Sequence, residues 1–142
     1  MKKQIFINAL VFILLTVKCL SACAQQNVTD TSAYLKQIVA NKNSYIGKPF
    51  SALEKDLKLP IIRFTPIAEL FSHINWETCT VFWFRQRVIG EGYYTGYQVT
   101  VYWKPYLDAS ISRPIGDKSK AKWNAEADSF YNKAIITDIG YE

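Results

Sequence analysis

Hydrophobic and polar residues alternate most regularly over residues 97–104, which is the pattern of a β-strand. A second strand is predicted over residues 76–87, because this stretch is rich in threonine, valine and aromatic residues. The connection 89–96 contains three glycines, so we expect the two strands to form a hairpin with a long loop. Residues 61–64 predict a short strand, and residues 134–141 predict a final one.

The phase of each strand predicts which side chains share a face. We expect the core-facing residues of the hairpin to be Trp83, Val99, Val101 and Trp103, packed on Leu53 and Leu57. The opposite face of the first hairpin strand then carries Trp76, Phe82 and Phe84. In the final strand, the residues expected to share one face are Ile135, Ile139 and Tyr141.

Helical spacing of apolar residues predicts two helices before the hairpin. Asp30 or Thr31 supplies the N-cap of the first helix, whose apolar stripe is Tyr34, Leu35, Ile38 and Val39. Gly47 separates the first helix from the second, and Pro49 suits the first turn of the second helix. That helix buries Phe50, Leu53 and Leu57 and ends before Pro60.

Two more helices are predicted from capping signals. Thr65 and Pro66 resemble an N-cap and first-turn pair and predict the start of a short helix. Its inward-facing residues are predicted to be Ile67, Leu70 and Phe71. Residues 108–118 contain Pro114 and Gly116 and predict a loop. Ser119 then caps a last helix whose apolar residues are Trp123, Ala127 and Phe130. These elements predict an α+β fold, with a small antiparallel sheet of about three or four strands and helices packed mainly on one face.

The chain begins with a leader that is typical of exported bacterial proteins. Lys2 and Lys3 precede an apolar run over residues 5–17, which is too short to span a bilayer. The sequence Leu-Ser-Ala-Cys at residues 20–23 resembles the lipobox of bacterial lipoproteins. The resemblance implies a signal peptide at residues 1–22, a lipid on Cys23 and a membrane-anchored lipoprotein of the cell envelope. In the alternative, cleavage after Ala24 gives a soluble periplasmic or secreted protein.

The leader accounts for most of the net charge. The chain has 17 basic and 12 acidic residues, and three of the basic ones (Lys2, Lys3 and Lys18) leave with the leader. The mature chain is therefore nearly neutral, which argues against nucleic-acid binding. Of the three cysteines, cleavage removes Cys19 and lipidation uses Cys23, so Cys79 has no partner for an intramolecular disulfide. Residues 23–30 form a short tether, and residues 31–142 are long enough for one domain with its own core.

Residues 47–60 carry a second resemblance. A glycine opens the segment, a short amphipathic helix follows, and Pro60 closes it. This order is similar to that of the small outer-membrane lipoproteins that accompany β-barrel assembly and of the β-lactamase-inhibitor-like fold, and Trp76 with the strands after it falls in a similar place. The resemblance implies a binding role without catalysis.

The sequence contains no recognisable catalytic or cofactor motif. His73 is the only histidine, so no multi-histidine metal site is expected. A nucleophilic pair of Cys79 and His73 is conceivable, but a buried, inert Cys79 is the ordinary interpretation of a cysteine within a strand. We therefore expect neither a cofactor nor an enzymatic activity.

The candidate binding residues are aromatic. They are Trp76, Phe82, Phe84, Tyr93, Tyr94 and Tyr102. The opposing interpretation is that the domain's own helices cover this face. The predicted function is binding of a protein, peptide or glycan in the cell envelope. The alternatives are a periplasmic inhibitor or immunity-type protein, for which the loop 89–96 would protrude, and an enzyme of a type that the sequence does not reveal.

Overall fold

In the described part of the chain, four antiparallel strands form one sheet, and strands that follow one another in the sequence lie side by side in it. Four helices pack on one face of this sheet. The computed structural model describes residue 28 and residues 30–69, 73–85 and 97–141. The helices are α1 (Thr31–Ala40), α2 (Phe50–Asp56), α3 (Ala109–Ser119) and α4 (Ala125–Tyr131), with a 3-10 turn at Lys42–Ser44. The strands are β1 (Arg63–Ala68), β2 (Trp76–Trp83), β3 (Gln98–Asp108) and β4 (Ile136–Tyr141). The predicted α+β class is confirmed.

The first helix begins where its capping signal predicts. The Asp30 carboxylate accepts a hydrogen bond from the Ala33 N–H at 3.0 Å, which satisfies one of the unpaired donors of the first turn. Leu35 and Ile38 are buried, as the apolar stripe predicts. At the turn before α2, Gly47 has a φ of +78°, a left-handed conformation that glycine adopts without steric penalty.

The prediction of a helix opened by Thr65 and Pro66 is wrong. Thr65 pairs with Val81 and Pro66 with Thr80, so both residues belong to β1. β1 is an edge strand, where the missing N–H of a proline costs no ladder hydrogen bond. Leu70 and Phe71, which were predicted to lie on that helix, are outside the described residues.

The prediction of a loop at residues 108–118 is also wrong, because this segment forms α3. Asp108 caps the helix by accepting a hydrogen bond from the Ser110 N–H at 2.9 Å. Ile115 and Gly116 are buried against the sheet, and a Cβ at Gly116 would lie 3.8 Å from the Phe64 ring. This close packing on the sheet outweighs the low helix propensity of glycine and proline. The cap of α4 is Asn124 and not Ser119, since Asn124 accepts hydrogen bonds from the N–H groups of Glu126 and Ala127.

The strand register shows which side chains face the helices. Phe64 pairs with Phe82, Phe82 with Val99, and Val99 with Tyr141. Because directly opposite residues in a sheet share a face, this row lies on the helix-facing side together with the buried Val101 and Trp103. Trp83 pairs with Gln98 and is only half-buried, so it belongs to the opposite face. Its predicted place beside Val99 is therefore wrong.

The final strand begins one step out of its predicted phase. The register shifts between Tyr102 and Trp103, and Trp103 is paired with Ile136. As a result Ile136 and Ile139 are buried while Ile135 is only half-buried, which corrects the predicted set of Ile135, Ile139 and Tyr141. A one-residue shift moves every following side chain to the other face, and apolar periodicity alone cannot detect it.

Aromatic rings from the sheet and the helices form the centre of the core. Phe50 of α2 stacks on Phe82 at 4.7 Å between ring centroids, and Tyr131 of α4 stacks on Trp103 at 5.8 Å. Leu53 is fully buried beside them, and Leu57 is packed at the margin. Residues 89–96, the predicted loop, lie outside the described residues. Within the described ranges, no helix has the length and apolar character needed to cross a membrane.

Candidate functional site

The structure separates the aromatic residues that were predicted to form one binding face. Phe82 is 0% exposed and Phe84 is 7% exposed, and both belong to the core cluster beneath the helices. Trp76 is 43% exposed and Tyr102 is 38% exposed. The prediction of one face shared by these four residues is therefore wrong. The two remaining candidates, Tyr93 and Tyr94, lie outside the described residues.

A change of phase within β2 separates Trp76 from Phe82. The pairing of β2 with β3 is irregular between Glu77 and Cys79. Glu77 and Thr80 consequently both turn to the helix side, where they hydrogen-bond to each other. Trp76, which precedes the irregularity, then lies on the face opposite Phe82, although simple alternation places the two together.

Trp76 is the centre of an exposed group of rings that we call the aromatic cluster: His73, Trp76 and Tyr106. The His73 and Trp76 rings stack with their centroids 3.7 Å apart and their planes 21° apart. The Tyr106 ring lies 5.4 Å from that of Trp76 and is 50% exposed. Tyr106 is not among the predicted candidates because the predicted strand covers residues 97–104, whereas β3 continues to Asp108.

The aromatic cluster lies where β2, β3 and α3 meet. Trp76 pairs with Asp108, the residue that caps α3. The Trp76 N–H donates to the His73 carbonyl at 2.8 Å, and the Ala109 N–H donates to the Asn75 carbonyl at 2.8 Å. These backbone bonds hold the turn that carries His73 against the end of the sheet. The rings are therefore placed by rigid elements before any ligand arrives, which reduces the entropy lost on binding.

Two isoleucines close in sequence to the residues of the aromatic cluster are also exposed. Ile74 lies in the same turn as His73, and Ile111 lies in the first turn of α3. Single exposed apolar side chains are ordinary in soluble proteins. A group of them near one end of a sheet is the composition expected of an interaction surface.

A polar network is buried on the helix side of the same irregularity. Glu77 is 0% exposed, and its Oε1 accepts hydrogen bonds from the Thr80 hydroxyl and, at 2.9 Å, from the Tyr131 hydroxyl. The Trp103 indole N–H donates to Thr80 Oγ1 at 2.8 Å. Ser112 of α3 is also buried there, close enough to influence the Glu77 carboxyl electrostatically without a hydrogen bond of standard geometry.

Burial dominates the electrostatics of this network. It raises the pKa of Glu77 above the ordinary value for a glutamate, although the hydroxyls of Ser112, Thr80 and Tyr131 oppose the increase. Burial and the neighbouring Glu77 charge also raise the pKa of Tyr131. A raised carboxyl pKa in a cleft is a mark of catalytic acids. Here the carboxyl has no exposed surface, so no substrate can reach it in this conformation.

A second perturbed carboxyl joins α2 to α4. Desolvation and the nearby Asp128 carboxylate raise the pKa of Glu54 to about 7, while a hydrogen bond with the Trp123 side chain lowers it slightly. The two carboxyl groups are in hydrogen-bond contact, and repulsion from the Asp128 charge adds to the cost of ionising Glu54. The pair lies apart from the aromatic cluster, on the helix layer.

In the part of the chain that the structure describes, Cys79 and His73 do not come together as a nucleophilic pair. Cys79 is buried, as its position within a strand predicts. His73 is exposed and belongs to the aromatic cluster. Among the described residues, no group of three or more histidine, cysteine, aspartate or glutamate side chains could hold a metal ion.

No protein-family model matches the chain, and comparisons with curated proteins and with solved structures find no match either. The resemblances of residues 20–23 to a lipobox and of residues 47–60 to the barrel-assembly lipoproteins therefore stay predictions. A functional assignment depends on the residues of the chain itself.

Proposed function

We propose that the protein is exported to the bacterial cell envelope, anchored there by a lipid on Cys23, and binds a protein, peptide or glycan partner without catalysing a reaction. The observation that carries the binding role is the exposed aromatic cluster. The motif at residues 20–23 supports the location.

The energetics of exposure support a binding role for this cluster. Trp76 and Tyr106 leave about half of their surfaces in water, although each buried apolar Å² stabilises a protein by about 25 cal/mol. The domain has a separate aromatic core around Phe82, Trp103 and Tyr131 and does not use Trp76 to close it. Tryptophan and tyrosine are the side chains that most often anchor interfaces, since they bury a large area and lose little rotamer entropy.

The polar groups near the cluster favour binding over chemistry. The perturbed carboxyl of Glu77 is fully covered by the domain, on the side of the sheet away from the exposed rings. The groups at the surface are the stacked rings of His73 and Trp76, an exposed Asn75 and the capping carboxylate of Asp108, which already binds Ser110. Stacking and a few hydrogen bonds are what such a surface offers to a ligand.

A double substitution tests the binding role. The wild-type mature protein and Trp76→Ala/Tyr106→Ala are used as baits in envelope extract, and binding to purified peptidoglycan is measured in parallel. We expect the double variant to lose at least 10-fold in affinity for whatever the wild type retains, since two anchors at about 1–2 kcal/mol each are removed. Ile46→Ala, an exposed apolar residue in the turn before α2, is the control.

The outcomes distinguish the parts of the proposal. Equal retention by the wild type and the double variant would exclude the aromatic cluster as the binding surface. If Tyr102→Ala weakens binding as well, the surface extends along β3 toward that residue. Mass spectrometry of the mature N-terminus tests the location independently: an acylated Cys23 is expected, and a free Gln25 N-terminus would mean that the protein is released without a lipid.

A further inference from the structure

Glu77 is a carboxyl group buried in the core of the domain. Its side chain is 0% exposed, and the rings of Trp103 and Tyr131 lie against it. Buried carboxylates are otherwise found paired with lysine, arginine or a metal, because the charged form is costly to remove from water. None of the described lysines or arginines forms an ion pair with Glu77.

The position of Glu77 is a consequence of the irregular pairing in β2. Glu77 pairs with Ala68 of β1 on one side and with Leu107 of β3 on the other. Both neighbouring registers shift at this point, and the shift turns the glutamate to the helix side instead of to water. A conventional continuation of the strand would expose it.

The hydrogen atoms of the network can be followed from donor to acceptor. The Trp103 N–H donates to Thr80, the Thr80 hydroxyl donates to Glu77 Oε1, and the Tyr131 hydroxyl donates to the same oxygen. Two buried oxygens are then left without a hydrogen bond of standard geometry, Glu77 Oε2 and Ser112 Oγ. The Ser112 hydroxyl can donate to an ionised Oε2, but only a protonated Oε2 that donates to Ser112 Oγ makes this contact without leaving a charge in the core.

The other titratable groups on the surrounding elements do not offset a negative charge. Tyr131 of α4 is the titratable side chain bonded to Glu77, and it is itself neutral. On the packed elements, Glu69 follows β1, Asp108 ends β3 and Arg113 lies on α3, and none of them forms a described hydrogen bond or ion pair with Glu77. Removing the charge by protonation is the remaining way to lower the cost of burial.

We propose that Glu77 is a neutral carboxylic acid in the folded domain, that its Oε2–H donates to Ser112, and that this one buried proton makes the attachment of α3 to the sheet dependent on pH. Ser112 is the point at which α3 reaches the network, whereas its other buried contacts, around Ile115, Gly116 and Phe64, are apolar. Loss of the proton places a charge between the sheet and α3 and loosens the helix.

Infrared spectroscopy of the intact mature protein tests the protonation state directly. We expect a protonated-carboxyl carbonyl band that persists at about pH 8 and disappears in Glu77→Gln. Glu54→Gln is the matched control. Because the pKa of Glu54 is about 7, its carboxyl is mostly ionised at about pH 8, and replacing it should leave the band in place. A glutamine at position 77 preserves the acceptor for Thr80 and Tyr131 and supplies an N–H for Ser112.

Urea unfolding between about pH 5 and pH 9 tests the consequence for stability. The folded-state pKa of Glu77 is raised, so the stability of the wild type should fall as pH increases, and Glu77→Gln should flatten this fall. Parallel decreases in the wild type and in Glu77→Gln, or the absence of a band assigned to Glu77 at about pH 8, would overturn the proposal. If Glu77→Gln does not fold, NMR titration of ¹³C-labelled glutamate carboxyl carbons in the wild type gives the answer. One glutamate carboxyl that stays protonated at about pH 8 supports the proposal, and ionisation of all six glutamates of the chain at that pH refutes it.

Discussion

Replacement of Trp103 by alanine should destabilise the domain severely. Trp103 is 1% exposed, and its ring lies within 6.3 Å, between centroids, of Phe50, Phe82 and Tyr131. Truncation of a buried tryptophan costs about 3–5 kcal/mol through lost transfer energy and the cavity left behind. The substitution also removes the N–H that Thr80 accepts, which adds about 1 kcal/mol.

These losses are large against the total stability of a small domain, about 5–15 kcal/mol. At about 4 °C per kcal/mol, the first term alone lowers the melting temperature by about 12–20 °C. Differential scanning calorimetry or circular dichroism measures this change. Trp103→Phe separates the two contributions, since it keeps most of the ring packing and removes the N–H, and it should cost about 1–3 kcal/mol.

Trp76→Ala is the matched control for this measurement. It removes the same side chain from the same sheet, but Trp76 is on the exposed face and its loss should change stability by no more than about 1 kcal/mol. Similar melting temperatures for Trp103→Ala and the wild type would refute the assignment of the core face. A loss in Trp76→Ala as large as that in Trp103→Ala would show instead that the aromatic cluster is part of the core.

Two further predictions concern the titration of Glu54 and the thiol of Cys79. The pKa of Glu54 is raised to about 7 from an ordinary 4.5, so the unfolded chain releases this proton first and the fold loses stability as pH rises between those values. In urea unfolding at about pH 8, Glu54→Gln should therefore be more stable than the wild type by about 1 kcal/mol, after allowance for solvent screening. At about pH 4 the two proteins should be equally stable. Glu126→Gln on α4 is the control, and an equal gain in stability there would refute the attribution to the Asp128 contact. Cys79 should react slowly with a thiol reagent in the native protein and rapidly in urea, because it is buried in β2. Rapid labelling of the native protein would place the thiol at the surface, and a change in melting temperature with reductant would show that Cys79 takes part in a disulfide.

Local signals were sufficient for several elements of the fold. The cap at Asp30, the spacing of Leu35 and Ile38, and the alternation around Val99 and Val101 each act within a few residues, so the sequence shows them directly. The same local signals misled at Thr65 and at residues 108–118. At Thr65, pairing of β1 with β2 stabilises the strand by more than the local helix signal favours a helix. In residues 108–118, packing of Gly116 on Phe64 stabilises the helix by more than the low helix propensity of glycine and proline costs.

The candidate site was only partly visible in the sequence. Trp76 and Tyr102 were identified as candidates from their residue type and their positions in strands, and the structure places both at the surface. The sequence did not show that Phe82 is buried, that Tyr106 joins Trp76, or that Glu77 is inside the core. The burial of Phe82 depends on which face of β2 the helices cover, whereas the other two features depend on the irregular pairing of β2 with β3, a register shift that leaves no trace in apolar periodicity.

The sequence alone determined the class of the fold and the helix and strand signals that lie within a few residues of one another, because capping and periodicity are properties of neighbouring residues. The tertiary structure decided which face of each strand is buried, that α3 forms, and that a carboxyl group lies in the core beneath an exposed ring cluster. These features depend on contacts between segments far apart in the chain, such as Glu77 with Tyr131 and Gly116 with Phe64. The energy of such contacts exists only when the strands and helices have been brought together.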